Sequence, residues 1–200
     1  MIAFVLPALL LPGCQPAAEE PVSGTPAADE VAAAPTPATT PEGKVEEATA
    51  GAPASISAGA RVLDWPAGDG QDFSELRAGN NGWTCLPDHP GMNGFQPMCL
   101  DGVWMEWLQA FAGGTAPELD AVGFAYMVTA EEEGSNTDPT ATAPTPDNQW
   151  HKWGPHVMVV FPNAAALRGI PTDPQTVGPY VMWGGTPYAH VMIPVGAHEM

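Results

Sequence analysis

Hydrophobic and polar positions divide the chain into three regimes. The first is an apolar run over residues 2–12, free of charge and interrupted by Pro7. The second extends from Gln15 to about residue 55 and consists of Ala, Pro, Thr, Glu and Gly. It holds no aromatic residue, and its valines, Val22, Val31 and Val45, recur with no useful period. The third begins near Ile56 and contains all seven Trp, all three Tyr and five of the six Phe, which is enough for an independent core.

Two periodicities organise the third regime. Trp104, Trp107, Leu108 and Phe111 recur at spacings of three and four, so they line one face of a helix predicted over residues 102–111. Asp101 stands where a carboxylate caps such a helix, and Gly113-Gly114 stops it. Strands are predicted over residues 61–65, 83–85, 122–129, 156–161, 180–183 and 188–193. Pro66-Ala-Gly-Asp-Gly70 and Asn80-Asn-Gly82 carry turn chemistry, and Gly184-Gly-Thr-Pro187 joins the last two strands as a hairpin. Residues 131–148 read as a long acidic loop rich in Pro and Thr, and residues 164–168 as one helical turn. About six strands and one principal helix predict an α+β fold with a mainly antiparallel sheet and a C-terminal hairpin.

The first regime ends in Leu10-Leu11-Pro12-Gly13-Cys14. This resembles the lipobox of bacterial lipoprotein precursors, with Leu at the third position before Cys and a small residue next to it. The resemblance implies a signal peptide over residues 1–13, cleavage before Cys14, a lipid on its sulfur and a fatty acyl chain such as palmitate on the new amine. Each buried methylene contributes roughly 0.8 kcal/mol, so two or three chains anchor stably where one does not. Pro12 and the lack of Lys or Arg in residues 2–13 depart from that pattern. The competing reading is an apolar N-terminus with a buried Cys. Gln15 after the Cys, where Asp would signal inner-membrane retention, implies an outer-membrane lipoprotein facing the periplasm or the cell exterior. The run is too short for a transmembrane helix, which needs ~18 or more apolar residues.

The remaining residues before the domain, 14–55, are predicted to be the lipidated Cys and a disordered spacer, because they cannot bury enough apolar surface to offset chain entropy. The domain is then residues 56–200. A formal net charge of −18 repels phosphate backbones, which excludes nucleic acid as a partner, and it repels anionic lipid too. Membrane association therefore falls to the covalent lipid.

Candidate chemistry is concentrated in a few places. Cys85 and Cys99 are the thiols of the domain, and in an oxidising compartment such a pair closes a disulfide. A metal site of Cys85, His89 and Cys99 is the sharper alternative; it lacks a C-x-x-C pair and a fourth ligand. The triplet His-Val-Met occurs twice, as His156-Val157-Met158 and His190-Val191-Met192, both within predicted strands. Side chains alternate along a strand, so each triplet sends one imidazole and one thioether to the same face. On neighbouring strands these groups, with Met182, suit copper, especially Cu(I). Core packing is the alternative, since Met fills cores and a His at a strand end can cap backbone groups.

The same imidazoles are candidates for general acid–base work with Asp101, Asp138 or Asp147 as orienting carboxylate and Ser135 or Thr186 as nucleophile. No Gly-x-Ser-x-Gly elbow, H-E-x-x-H motif or Gly-rich phosphate loop accompanies them, and no cofactor is called for. The run Glu131-Glu-Glu-Gly-Ser-Asn-Thr-Asp138 is either a solvated acidic loop or a Ca²⁺ site without EF-hand spacing. Trp150 and Trp153, flanking His151 and Lys152, could stack on a sugar or a peptide.

Asn81-Gly-Trp-Thr-Cys85, Gly154-Pro-His156, Gly178-Pro-Tyr-Val-Met-Trp183 and Tyr188-Ala-His190 resemble a family of bacterial secreted proteins to which no activity attaches. That resemblance implies neither a mechanism nor a site. The reading that follows is a lipid-anchored extracytoplasmic module that binds or scaffolds. The alternative is a periplasmic metal-handling or hydrolytic protein centred on His156 and His190. Cys14→Ser is expected to move the protein from the membrane to the soluble fraction and to abolish incorporation of labelled fatty acid. Membrane retention of that variant would exclude a lipid anchor at Cys14.

Overall fold

The computed structural model describes residues 37–68, 71–89, 91 and 96–196. The expected signal peptide, Cys14 and the spacer up to residue 36 lie outside the described residues. Among the described residues, no helix is long and apolar enough to cross a membrane.

The first element among the described residues was not expected. Residues assigned to the spacer form helix α1, Pro41–Ala50, followed by the single turn α2, Ala54–Ser57. Thr40 caps α1 by accepting from the Gly43 N–H at 3.1 Å, and proline at the first helical position needs no N–H partner. Ala48 is 0 % exposed, and with Ala52 and Ala60 it packs on Val62, Cys85 and Cys99. The domain therefore begins before Pro41, not at residue 56. Composition misplaced the boundary because this helix is buried through alanines, which carry no strong hydrophobic signal. The turn after α1 passes so close to the strand below that a Cβ at Gly51 would lie 2.5 Å from the Pro97 carbonyl oxygen. Lys44 reaches Asp64 at 2.6 Å, a partly exposed ion pair that orients the helix more than it stabilises it.

Ten strands follow among the described residues, more than the expected six or so. They are β1 (Arg61–Asp64), β2 (Ser74–Arg77), β3 (Thr84–Leu86), β4 (Met98–Leu100), β5 (Gly123–Met127), β6 (Glu132–Ser135), β7 (Trp150–Trp153), β8 (His156–Val160), β9 (Tyr180–Met182) and β10 (His190–Pro194). Eight make one sheet in the order β2-β1-β3-β4-β5-β8-β10-β9, antiparallel except for the β1–β3 pair. The fold is thus α+β with a mostly antiparallel sheet, and β9 and β10 form the expected C-terminal hairpin. The expected acidic loop opens as β6, which pairs with β7 in a separate ribbon. Alternation along β6 sends Glu132 and Glu133 to opposite sides. Among the described residues, no group of three His, Cys, Asp or Glu is placed to hold a metal ion, so the Ca²⁺ reading of this run has no support.

Helix α3, Gly102–Ala112, lies over the front of the sheet and buries Trp104, Met105, Trp107 and Leu108. Asp101 ties it down twice: one carboxylate oxygen accepts from the Trp104 N–H at 2.8 Å, the other from the Phe124 N–H of β5 at 2.7 Å. Gly123 lets the first turn descend, since a Cβ there would meet the Trp104 nitrogen at 2.9 Å.

On the opposite face, Cys85 and Cys99 stand directly across the β3–β4 pair and are joined as a disulfide. Their sulfurs are therefore not available as thiolate ligands, which removes the Cys85, His89 and Cys99 metal site. Ala48→Leu would force extra methylenes between α1 and this face. It is expected to cost roughly 1–3 kcal/mol, read as a lower urea midpoint, and to open α1 to proteolysis. An unchanged midpoint would mean that α1 does not pack on the sheet.

Candidate functional site

The two His-Val-Met strands are neighbours. β8 and β10 pair antiparallel with Met158 opposite Met192 and His156 opposite Pro194. This register sends the two histidines to opposite ends of the pair, roughly 13 Å apart along the strands. Each histidine has its own methionine directly across the next strand: Met127 of β5 faces His156, and Met182 of β9 faces His190. The sheet front thus carries a continuous run of soft donors, Met127, His156, Met158, Met192, His190 and Met182.

Both imidazoles have a defined tautomer. A carbonyl only accepts, so His156 Nδ1–H donates to the Gly154 carbonyl at 2.7 Å, and His190 Nδ1–H to the Tyr188 carbonyl at 3.0 Å. Each Nε2 is then an acceptor or a ligand. His151 follows the same rule with Gln149 at 3.4 Å, and its Nε2 accepts from the Tyr180 hydroxyl at 3.1 Å. Burial pushes the Tyr180 phenol up, so it stays a donor. Burial also lowers His156 and His190 to about 4, partly offset by their carbonyl partners. The His156 ring lowers His190 a little further, and the His151 ring does the same to His156.

Over this run lies a cavity of about 470 Å³. Its floor is Met98, Met127, Met158, Met182, Met192 and the two histidines; α3 supplies Trp104, Trp107, Leu108 and Phe111; the β6–β7 ribbon and the loop that joins its strands supply Ser135, Asp138, Trp150 and Trp153. Three indoles stand nearly perpendicular to the His190 ring, Trp104, Trp107 and Trp183, with centroids 5.5, 5.6 and 5.1 Å away. Trp183 has a left-handed backbone, φ 54°, which is strained for a bulky residue by roughly 1–3 kcal/mol. It is held there by its N–H on the Asn136 carbonyl at 2.7 Å and its indole N–H on the Ser135 carbonyl at 2.9 Å. His190 Nε2, Trp107 Nε1 and Trp150 Nε1 are buried on this cavity with no protein partner.

His156, Met158, His190, Met192 and Met182 therefore come together as lining of one chamber, and Trp150 and Trp153 join them. Of the proposed catalytic partners, Ser135 and Asp138 also line the chamber, whereas Asp101, Asp147 and Thr186 do not. Asp101 caps α3, Asp147 is exposed, and exposed Asp138 is occupied by the Thr140 N–H and hydroxyl, which hold its pKa down. Ser135 donates to the Asn148 carbonyl and organises the turn at Thr137 and Asp138, and Thr186 donates to the Trp183 carbonyl. The helix periodicity places Trp104 and Trp107 on an apolar face without pointing to a site, and nothing in the sequence marks Met98 or Met127; Met127 stands out only because it faces His156, a relation that exists only once strands are paired. The chain matches no protein-family model, no curated protein and no solved structure.

The buried neutral histidines make stability depend on acid. Unfolded histidine titrates near 6.5 and the folded pair near 4, so between these values the unfolded chain binds more protons. Their contribution is full above about pH 6.5 and is lost as pH falls towards 4, at up to about 1.4 kcal/mol per pH unit for each histidine. Urea denaturation at pH 7, 5.5 and 4.5 should show this decline, and His190→Gln should reduce its slope. A flat profile would mean that neither ring is buried neutral.

Proposed function

We propose that this is a non-catalytic, extracytoplasmic binding module, carried on a membrane surface by a lipid at Cys14, whose small ligand occupies the Trp- and Met-lined chamber. One observation carries the reading. Two imidazoles, each oriented by a backbone carbonyl that leaves Nε2 as acceptor, line a mostly apolar chamber, and His190 Nε2 has no protein partner. A buried acceptor left alone costs on the order of 1–3 kcal/mol, so a ligand with an electron-poor centre gains by meeting it. The chamber's size and its few convergent polar groups among aromatic walls are those of small-ligand sites. The orienting partners are carbonyls and not carboxylates, and the imidazoles stay neutral near pH 7, which favours binding over proton transfer.

p-Cresol, a small apolar ring with one strong donor, tests this on the full chain. Saturable binding is expected, with the methyl resonances of Met158, Met182 and Met192 moving together. 4-Methylanisole, whose donor is methylated, should bind at least about tenfold more weakly, the equivalent of one hydrogen bond. No saturable shift at these methionines with either probe would end the binding reading.

A further inference from the structure

The geometry points to a monovalent soft-cation site at the β9–β10 end of the chamber, in which His190 Nε2 and the thioethers of Met182 and Met192 bind Cu(I) or Ag(I). This rests on the chamber being a ligand site and names the class of ligand. Met182 is directly across the strand pair from His190, where Cβ atoms stand about 4.5–5.5 Å apart, and Met192 follows two residues on, on the same face. One nitrogen and two sulfurs therefore rise from three adjacent positions of one face. His190 is 2 % exposed and lines the chamber, and its Nε2, the only ring nitrogen free of a proton, is buried and unpartnered.

The donor chemistry selects the ion. Imidazole and thioether are neutral and soft, a set that suits Cu(I). Zn²⁺ takes thiolate, imidazole or carboxylate ligands and Ca²⁺ takes oxygens, so one imidazole with two thioethers suits neither. The carboxylates of the lining, Glu133 and Asp138, are exposed at its rim, and the domain's cysteines are joined to each other. A single positive charge is the most that this floor tolerates, and the acidic surface draws cations towards it. The indoles of Trp104, Trp107 and Trp183 around His190 shield the site from water. His156, with Met127 across from it and Met158 two residues on, repeats the arrangement, but its Nε2 is not among the buried unpartnered atoms. The first ion therefore belongs to His190.

The test uses the full chain with the Cys14 thiol alkylated, so that only the folded domain offers soft ligands of high affinity. Ag(I), diamagnetic and similar in preference, is titrated into protein carrying ¹³C-methyl methionine. One equivalent should shift the Met182 and Met192 signals and leave Met105 unmoved, with quenching of tryptophan fluorescence. Cu(I) offered with a competing chelator should bind at least about a hundredfold more weakly to Met182→Leu/Met192→Leu, which keeps volume and packing, and to His190→Ala, while His156→Ala retains the first equivalent. Equal affinity in wild type and the double leucine variant, first shifts at Met127 and Met158, or Zn²⁺ binding as tight as Cu(I) would each overturn the assignment. If neither Cu(I) nor Ag(I) binds while p-cresol does, the chamber takes organic donors and only the metal assignment falls. If none of the three binds, the chamber is not a ligand site and both readings fall.

Discussion

The antiparallel pairing of β8 with β10 is the constraint on which the rest of this structure depends. Side chains alternate with a period of two, so a slip of one residue would turn that strand's histidine and methionine to the opposite face. The observed register, Met158 against Met192, does two things at once. It gathers both His-Val-Met triplets on the face that α3 covers, and it separates the two imidazoles to opposite ends of the pair. Neighbouring strands on both sides then contribute Met127 and Met182. The chamber is thus a property of pairing among four strands, β5, β8, β10 and β9, and of no single segment.

Much of the frame was legible in the sequence. Trp104, Trp107, Leu108 and Phe111 gave α3 its bounds to within a residue at the C-terminal end, and Asp101 proved to be its cap. β8, β9 and β10 stood out because large apolar side chains alternate or run between turn formers. What stayed hidden shares a cause. α1 is buried through Ala48, β2 is mostly polar and β6 is Glu-Glu-Gly-Ser, so none carries enough apolar contrast to announce itself, and β4, Met-Cys-Leu, is too short to show a period. Their structure comes from neighbours distant in sequence. The same holds for the site. That each His and Met share a face follows from strand geometry, but direction and register of pairing are non-local, and they decided that the two imidazoles would not converge.

Charge is arranged in opposition to this interior. The chain is strongly acidic, yet the floor of the chamber is uncharged: its titratable groups are histidines kept neutral by burial, and its carboxylates remain at the rim. An apolar core of this kind gains nothing from the surface charge, which acts at longer range on solubility and on what approaches. The disulfide lies on the other side of the sheet, beneath α1. The chamber and the covalent cross-link therefore occupy separate clusters, and the redox state of one has no direct path into the ligand set of the other.

The histidines have a feature with an evolutionary reading. His151, His156 and His190 each anchor Nδ1 on the carbonyl two residues earlier, and those residues are Gln149, Gly154 and Tyr188. Every amino acid brings that oxygen, so no particular side chain has to be maintained to aim the ring. Drift two positions upstream of each histidine leaves the aim intact as long as the strand keeps its path. A mutation that disturbs the path itself, by contrast, would release tautomer and ring together.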